Sequence, residues 1–202
     1  MMNKKEFRTV ENIKATDDEN MIVEGYALRV NTLSNDLGGF VETISPQALK
    51  DADLSDVRCL IDHDSSKVLG RTASETLELN VDDEGLYFRT QLPNTTYAKD
   101  LYENIRLGNI NQCSFGFILD EEGDKFEKRE DGLFKRTLTK IRSLFDVSVV
   151  TFPAYQDTDV APALRSIEAI KEIEQEEIRK REQEYRKQTE LLKAQLDLLK
   201  LR

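Results

Sequence analysis

The sequence is short of positive charge and has no long apolar segment. It contains 29 lysines and arginines against 39 aspartates and glutamates, so its formal net charge is −10. Contact with nucleic-acid phosphates or anionic lipid requires basic surface. This charge balance therefore argues against a general nucleic-acid binder and against a polybasic segment that binds the membrane surface. No stretch approaches the roughly 18 apolar residues of a transmembrane helix. The N-terminal stretch is charged and lacks an apolar core, so we expect no secretory signal.

Cysteine and histidine are also scarce. Cys59 and Cys113 are the two cysteines of the chain, too few for a disulfide framework, and we expect buried, reduced thiols. His63 is the single histidine, which excludes a multi-histidine metal site, and no Cys-x-x-Cys pair supplies zinc ligands. Gly-x-Ser-x-Gly and phosphate-loop motifs are absent as well. We therefore expect neither a metal nor another cofactor.

The composition changes near residue 165, and this change predicts two parts. From Ser166 onward there is no glycine or proline, and residues 165–202 carry ten basic and nine acidic side chains. Residues 1–164 carry 19 basic and 30 acidic ones, a net charge of −11. The 202 residues are thus expected to form one globular domain at 1–164 and one mixed-charge helix at 165–202.

The predicted C-terminal helix has a sparse apolar stripe with a seven-residue repeat. Its members are Ile178, Tyr185, Leu192 and Leu199. The companion positions of the heptad are largely polar, whereas a stable coiled coil needs both positions apolar over three or four heptads. Two interpretations stay open: a long solvated helix, or a helix that pairs with a partner or with a second copy of the chain.

Residues 1–164 have the pattern of a mainly β domain with a few helices (an α+β fold). Many short strands at this spacing favour a closed or sandwiched antiparallel sheet. Gly85 ends the acidic turn at 82–85, which closes one predicted hairpin. The predicted strands cover 21–30, 40–44, 57–61, 75–81, 86–92, 110–119, 125–129, 133–144 and 146–152. One predicted helix covers 46–51, and a second has its apolar face at 97–105 with Gly108 as its C-cap.

His63 is the first candidate for chemistry. A lone histidine is usually structural or simply exposed. This one follows a predicted apolar strand, where a loop opens to solvent, and it is flanked by Asp62 and Asp64. Those charges favour its protonated form, and a histidine at such a strand end can act as a general base. Both interpretations stay open on pattern alone.

Ser114 is the second candidate, within the strand segment QCSFGF at 112–117. It is either a small residue in a crowded sheet or a hydroxyl nucleophile on a rigid strand. Because side chains alternate along a strand, Ser114 and Gly116 face one way, while Cys113, Phe115 and Phe117 face the predicted core. Cys113 is therefore the weaker candidate nucleophile.

Asp146 is the third candidate, an ionisable residue at the head of an apolar strand. It is either an ordinary acidic strand start or the acid that holds His63 in the correct tautomer. Ser148 shares its face and is a lesser candidate nucleophile. Asp62 and Asp64 are rival acids, but as sequence neighbours of His63 they are poorly placed to reach its ring. Each of these signals is weak alone.

Taken together, eight segments resemble the prohead (procapsid maturation) proteases of tailed bacteriophages, a serine peptidase family related in fold to the herpesvirus assemblins. The ordered set is more specific than any one motif. The segments are EGYA at 24–27, GFVETISP at 39–46, DHD at 62–64, LGRT at 69–72, DEGL at 83–86, LPNT at 92–95, SFGF at 114–117 and DVSVVTFPAY at 146–155.

The resemblance implies a catalytic triad in the order histidine, serine, acid. It makes His63 the general base, Ser114 the nucleophile and Asp146 the acid. The family motif more often carries glutamate at the position of Asp146, and the herpesvirus relatives use a second histidine, which this chain lacks. By analogy with the assemblin fold, the oxyanion donors are expected among backbone amides near 153–155, where Pro153 has no N–H.

The resemblance also implies a biological role. The family cleaves the scaffolding portion of the major capsid protein, and itself, inside the immature shell in the bacterial host cytoplasm. The C-terminal helix then fits a segment that docks to scaffold or capsid, or that is removed by self-cleavage. The alternative is a non-catalytic internal scaffold or assembly protein of the same fold. No nucleic-acid or membrane partner is expected.

Overall fold

The structure is a computed structural model, and it describes residues 5–11, 13–152 and 161–200. These residues form twelve strands and two α-helices. The strands are β1 Lys5–Glu11, β2 Ile13–Asp17, β3 Ile22–Arg29, β4 Phe40–Ile44, β5 Arg58–Ile61, β6 Asp64–Arg71, β7 Leu77–Val81, β8 Gly85–Gln91, β9 Gln112–Leu119, β10 Asp124–Lys128, β11 Phe134–Leu138 and β12 Ile141–Val150. The helices are α1 Thr96–Arg106 and α2 Ala161–Lys200. None of the helices described is long and apolar enough to cross a membrane.

The strands form three sheets. A five-stranded sheet has the order β1-β9-β12-β5-β6, a four-stranded sheet the order β2-β3-β8-β7, and a three-stranded sheet the order β10-β11-β4. Buried apolar residues of the strands and of α1 form one core cluster. Chain packing divides the molecule into two compact units, residues 1–162 and residues 163–202.

The mainly β class is confirmed, and so is the presence of a C-terminal helix. The closed alternative of the predicted arrangement is wrong, because the sheets are open. Two strand pairs are also parallel, β12 with β5 and β11 with β4. Strand periodicity reports which side chains face a core, and it carries no information on the direction of the neighbouring strand.

Helix α1 and the β7–β8 hairpin follow the sequence pattern closely. The face of α1 that carries Ala98, Leu101, Tyr102 and Ile105 is buried, and Gly108 follows the helix with a φ of +76°. At the hairpin, Asp82 accepts hydrogen bonds from two backbone N–H groups of the turn. Gly85 has a positive φ, and a Cβ there would overlap the carbonyl of Leu28, so only glycine fits.

Several predicted elements differ from the structure. The predicted helix at 46–51 is a series of turns, each closed by one hydrogen bond between residues three apart. The predicted strand at 133–144 breaks at Thr139 and Lys140, and its second part continues as β12. Strands β1, β2 and β6 were not predicted, because their sequences are polar. Strand β6 is a largely exposed edge strand, and β1 buries charged side chains.

Candidate active site

His63 lies in the two-residue turn that joins β5 to β6. Ile61 and Asp64 are partners across the hairpin, and the two residues between them have φ values of +48° at Asp62 and +58° at His63. Positive φ at both central positions is typical of a type I′ turn, where glycine is preferred at the second. A histidine there costs on the order of 1 kcal/mol in backbone strain. Strain of this kind is characteristic of functional positions.

The two aspartates beside His63 bind other partners. The carboxylate of Asp62 accepts hydrogen bonds from the backbone N–H of Thr151, at 2.8 Å, and from its hydroxyl, at 3.1 Å. These bonds hold the β5–β6 turn against the end of β12. Asp64 accepts hydrogen bonds from the N–H and the hydroxyl of Ser66. Neither carboxylate is hydrogen-bonded to the imidazole, so neither takes the place of the acid.

Ser114 lies near the start of β9 and is completely buried. Its cross-strand neighbours are Thr9 of β1 and Ser148 of β12. Cys113 and Phe115, on either side of it, belong to the buried core, as the alternation predicts. The Oγ of Ser114 lies 2.9 Å from Nε2 of His63, and its hydroxyl donates to that nitrogen when the imidazole proton is on Nδ1.

A β-bulge in β12 directs Asp146 toward His63. Leu144 is opposite Phe117 of β9 and Asp146 is opposite Gly116, so Phe145 is an extra residue without a partner. The ring of Phe145 lies next to Gly116, and Asp146 contacts His63. Both therefore face the Ser114 side of the sheet, although they are adjacent in sequence. Bulges of this type re-aim side chains beside active sites.

One oxygen of Asp146 receives two hydrogen bonds. Its Oδ1 lies 2.8 Å from Nδ1 of His63, and it accepts a second bond from the hydroxyl of Ser148 at 3.0 Å. Asp146 is 4% exposed, whereas the His63 side chain is 24% exposed. The aspartate is thus long enough to reach the imidazole, even though it is one methylene shorter than glutamate. Ser148 supports the acid and makes no contact suited to a nucleophile.

The two cysteines are fully buried and unpaired with each other, as predicted. Burial, with the charge of Asp146 adding to it, raises the pKa of Cys59 to about 12. Burial likewise raises the pKa of Cys113 well above its ordinary value, with smaller contributions from Cys59 and Asp146. Since the thiolate is the reactive form of cysteine, both side chains are inert at neutral pH.

The structure brings together the three side chains that the sequence proposed: His63, Ser114 and Asp146. The hydrogen bonds of Ser148 to Asp146 and of Asp62 to Thr151 were not foreseen, and neither has a local sequence signal. The segment expected to supply the oxyanion donors, 153–155, lies outside the described residues. Among the described residues there is no group of three histidine, cysteine or carboxylate side chains arranged to hold a metal ion.

The hydrogen-bond order from serine to imidazole to carboxylate is that of the serine hydrolases, a class recognised by geometry rather than by sequence position. The chain matches the family of caudovirus prohead serine proteases over residues 6–173, which is most of its length. It therefore belongs to that family, and the resemblance seen in the sequence is confirmed.

The solved structure of the bacteriophage T4 capsid assembly protease gp21 is similar to this chain, with 11% sequence identity and a TM-score of 0.48. The alignment covers 75% of this chain and 100% of the T4 protease. No curated protein matches the chain.

Proposed function

We propose that this chain is a serine endopeptidase that cleaves the scaffolding portion of the phage major capsid protein, and itself, during procapsid maturation. The observation that carries the proposal is the hydrogen-bonded series of Ser114, His63 and Asp146 in a member of the prohead serine protease family. The site of action on this proposal is the procapsid interior, within the bacterial host cytoplasm.

In the proposed mechanism, Ser114 is the nucleophile and His63 the general base. Oγ attacks the scissile carbonyl carbon while Nε2 takes the hydroxyl proton, because an isolated serine hydroxyl is a poor nucleophile. His63 then returns the proton to the leaving amine as the C–N bond breaks, which leaves an acyl ester on Ser114. Water hydrolyses the ester by the same proton route. Asp146 keeps the proton on Nδ1 and stabilises the imidazolium.

The burial of Ser114 adds a requirement to this mechanism. In the structure described here the serine has no exposed surface, and the imidazole is the most open member of the three. A substrate carbonyl therefore reaches Oγ only after the surroundings of Ser114 rearrange. Movements of this kind, coupled to substrate binding, complete many protease sites.

We further propose that residues 1–164 form the catalytic domain and that the helix at 165–202 docks to scaffold or capsid, pairs with a second copy, or is removed by self-cleavage. In support, Ile178 and Tyr185 of the predicted stripe are 56% and 73% exposed. Ile173 is exposed on the same helix. The structure does not describe the side chains of the stripe residues Leu192 and Leu199.

The deciding experiment is incubation of the purified chain with its cognate capsid protein, comparing wild type with Ser114→Ala. The variant loses one buried oxygen and should keep its fold, while cleavage of capsid protein and self-processing should fall by about 10³-fold or more. Ser143→Ala, at a half-buried serine of the same sheet, is the matched control and should remain active. No cleavage by wild type would favour the non-catalytic assembly role, whereas near-wild-type cleavage by Ser114→Ala would move the nucleophile to Ser148 or Cys113.

Thiol alkylation gives a second test of the nucleophile. Because the pKa of Cys59 is raised to about 12 and that of Cys113 well above its ordinary value, both thiols stay protonated near pH 8. We expect an alkylating reagent to leave the folded protein active. Full inactivation with an intact circular dichroism spectrum would instead assign the nucleophile to Cys113.

A further inference from the structure

Strand β1 borders the candidate active site, and Phe7 of this strand touches the imidazole. The ring centroids of Phe7 and His63 are 4.3 Å apart with an interplanar angle of 63°, which is an edge-on contact. Phe7 also meets Phe145 edge-on, with centroids 5.5 Å apart. Aromatic rings prefer such edge-on contacts to a face-to-face sandwich.

Gly116 makes room for this arrangement. It is the partner of Phe7 across β1 and β9 and the partner of Asp146 across β9 and β12. A Cβ at Gly116 would lie 2.5 Å from two ring atoms of Phe145 and 2.8 Å from the ring of Phe7. The absence of a side chain therefore allows both rings to pack against the backbone at Gly116.

The opposite face of β1 is held by buried charges. Arg136 of β11 donates hydrogen bonds to Glu6 at 2.5 and 2.9 Å and to Glu42 of β4 at 2.9 Å. Arg8 donates to both oxygens of Glu42, at 2.6 and 2.7 Å, and to Glu6 at 2.9 Å. We call these four residues the β1 charge cluster. Such directional bonds specify one register of the strand, and so they specify the position of Phe7.

The two hydrogen bonds of His63 do not by themselves fix its ring. Both act in the ring plane, through Nδ1 and Nε2, and the backbone at this residue is in the uncommon left-handed region. A contact against the ring itself is needed to prevent the imidazole from tilting out of line with Oγ. Displacement of a reacting group by about 1 Å costs on the order of 100-fold in rate.

We propose that Phe7 is a positioning residue for His63, and that the β1 charge cluster makes strand β1 part of the active site by setting the place of Phe7. This inference rests on the proposed function, since it assigns His63 the role of general base. Phe7 acts through the imidazole and takes no part in bond making.

The test compares the full chain with Phe7→Ala and Phe7→Leu, in activity and in the NMR spectrum of the imidazole. Because His63 is the single histidine, its ring signals are unambiguous. Phe7→Ala should lower kcat on a peptide substrate by about 10-fold or more with KM changed less than about threefold. The ring signals should shift and indicate a mixture of tautomers. Phe7→Leu, which restores bulk without a flat ring, should give an intermediate result.

Tyr87→Ala is the matched control. Tyr87 forms an edge-on pair with Tyr26 at 5.4 Å in the four-stranded sheet and is half-buried like Phe7. It should leave both kcat and the imidazole signals unchanged.

Three results would overturn the proposal. They are a folded Phe7→Ala chain with normal kcat, a rise in KM alone, and a loss of kcat with unmoved imidazole signals. If Phe7→Ala does not fold, normal kcat and unmoved imidazole signals in Phe7→Leu count against it. The NMR spectrum is recorded without substrate on chains that keep Ser114, and it needs no activity. A wild-type chain without peptidase activity therefore argues against the proposed function, while the imidazole signals still report whether Phe7 orients the ring.

Discussion

At the scale of single residues, Ser148 shows how a buried hydroxyl supports an ionised side chain. It is completely buried, and it donates to the same oxygen of Asp146 that faces the imidazole. A hydrogen bond to a charged group contributes about 1.5–3 kcal/mol. Ser148 therefore helps to hold the Asp146 carboxylate in place beside the imidazole.

We predict that Ser148→Ala lowers kcat by about tenfold, far less than Ser114→Ala, because it removes one of two donors to Asp146 and leaves the nucleophile intact. The measurement is steady-state peptide hydrolysis beside urea denaturation of both variants. Ser143→Ala again serves as the control. Loss of activity as complete as that of Ser114→Ala, with the fold intact, would contradict this supporting role, because the loss of one donor to Asp146 does not account for it.

At the scale of elements, β1 joins the five-stranded sheet to the strands β4 and β11 through buried charges. Arg136 is 2% exposed, and Glu6 and Glu42 are each 3% exposed. Burial alone would raise the pKa of Glu6, but its hydrogen bond to Arg136 and the charges of Arg136 and Arg8 hold that pKa below its ordinary value. The paired carboxylate thus stabilises the fold above the pKa of the unfolded chain. This stabilisation is lost as the pH falls through the lower folded pKa.

We predict that Arg136→Met destabilises the protein by about 3–5 kcal/mol at pH 7, because Glu6 and Glu42 lose a buried partner. In the variant, Arg8 is the main group left to oppose the rise in the pKa of Glu6 that burial causes. The pKa of Glu6 therefore rises, and Glu6 binds a proton on mild acidification. The difference in unfolding free energy between wild type and variant should therefore shrink between pH 7 and pH 4. Urea denaturation at both values measures it.

Arg106→Met is the control for this prediction. Arg106 pairs with Glu103 on the surface of α1, and exposed pairs contribute only about 0–1 kcal/mol. An Arg136→Met effect as small as that of Arg106→Met would show that the β1 charge cluster does not anchor the strand. A large effect that is the same at both pH values would place the cost in packing instead of charge.

At the scale of the whole molecule, the two compact units differ in how each one is stabilised. Residues 1–162 form sheets around an apolar core, whereas α2 is a single helix with strong helix formers and mixed charge. A helix with exposed apolar residues on a polar background is typical of a docking segment. This difference allows the role of the helix to be tested apart from catalysis.

We predict that a full-length chain with Ile178→Glu and Tyr185→Glu hydrolyses a short peptide at the wild-type rate but enters procapsids poorly. Both side chains are exposed, so the fold should tolerate the charges. A chain that ends near Arg165 should behave in the same way. Replacement of the exposed Glu177 and Arg181 by alanine is the control and should leave incorporation intact. Normal incorporation of the variant with both glutamates into procapsids would contradict the proposed docking role of the helix.

Much of the local structure was determined by the sequence itself. The buried face of α1, the glycine of the β7–β8 turn, strand β4 and the long C-terminal helix follow from periodicity, turn chemistry and composition, all of which act over a few neighbouring residues. The alternation of side chains along β9 likewise predicts that Ser114 and Cys113 face opposite sides of the sheet. The sequence also carries the family resemblance, because the motifs and their order along the chain can be recognised without knowledge of the fold.

Only the tertiary structure decided how these elements meet. His63 lies 51 residues from Ser114 and 83 from Asp146, and their contact depends on the strand order β9-β12-β5, including one parallel pair. The bulge at Phe145 and the burial of Glu6 depend on partners in other strands. Register and long-range pairing are set by packing, and local propensity carries no information about them. For that reason the sequence could propose the three side chains individually, while their geometry required the fold.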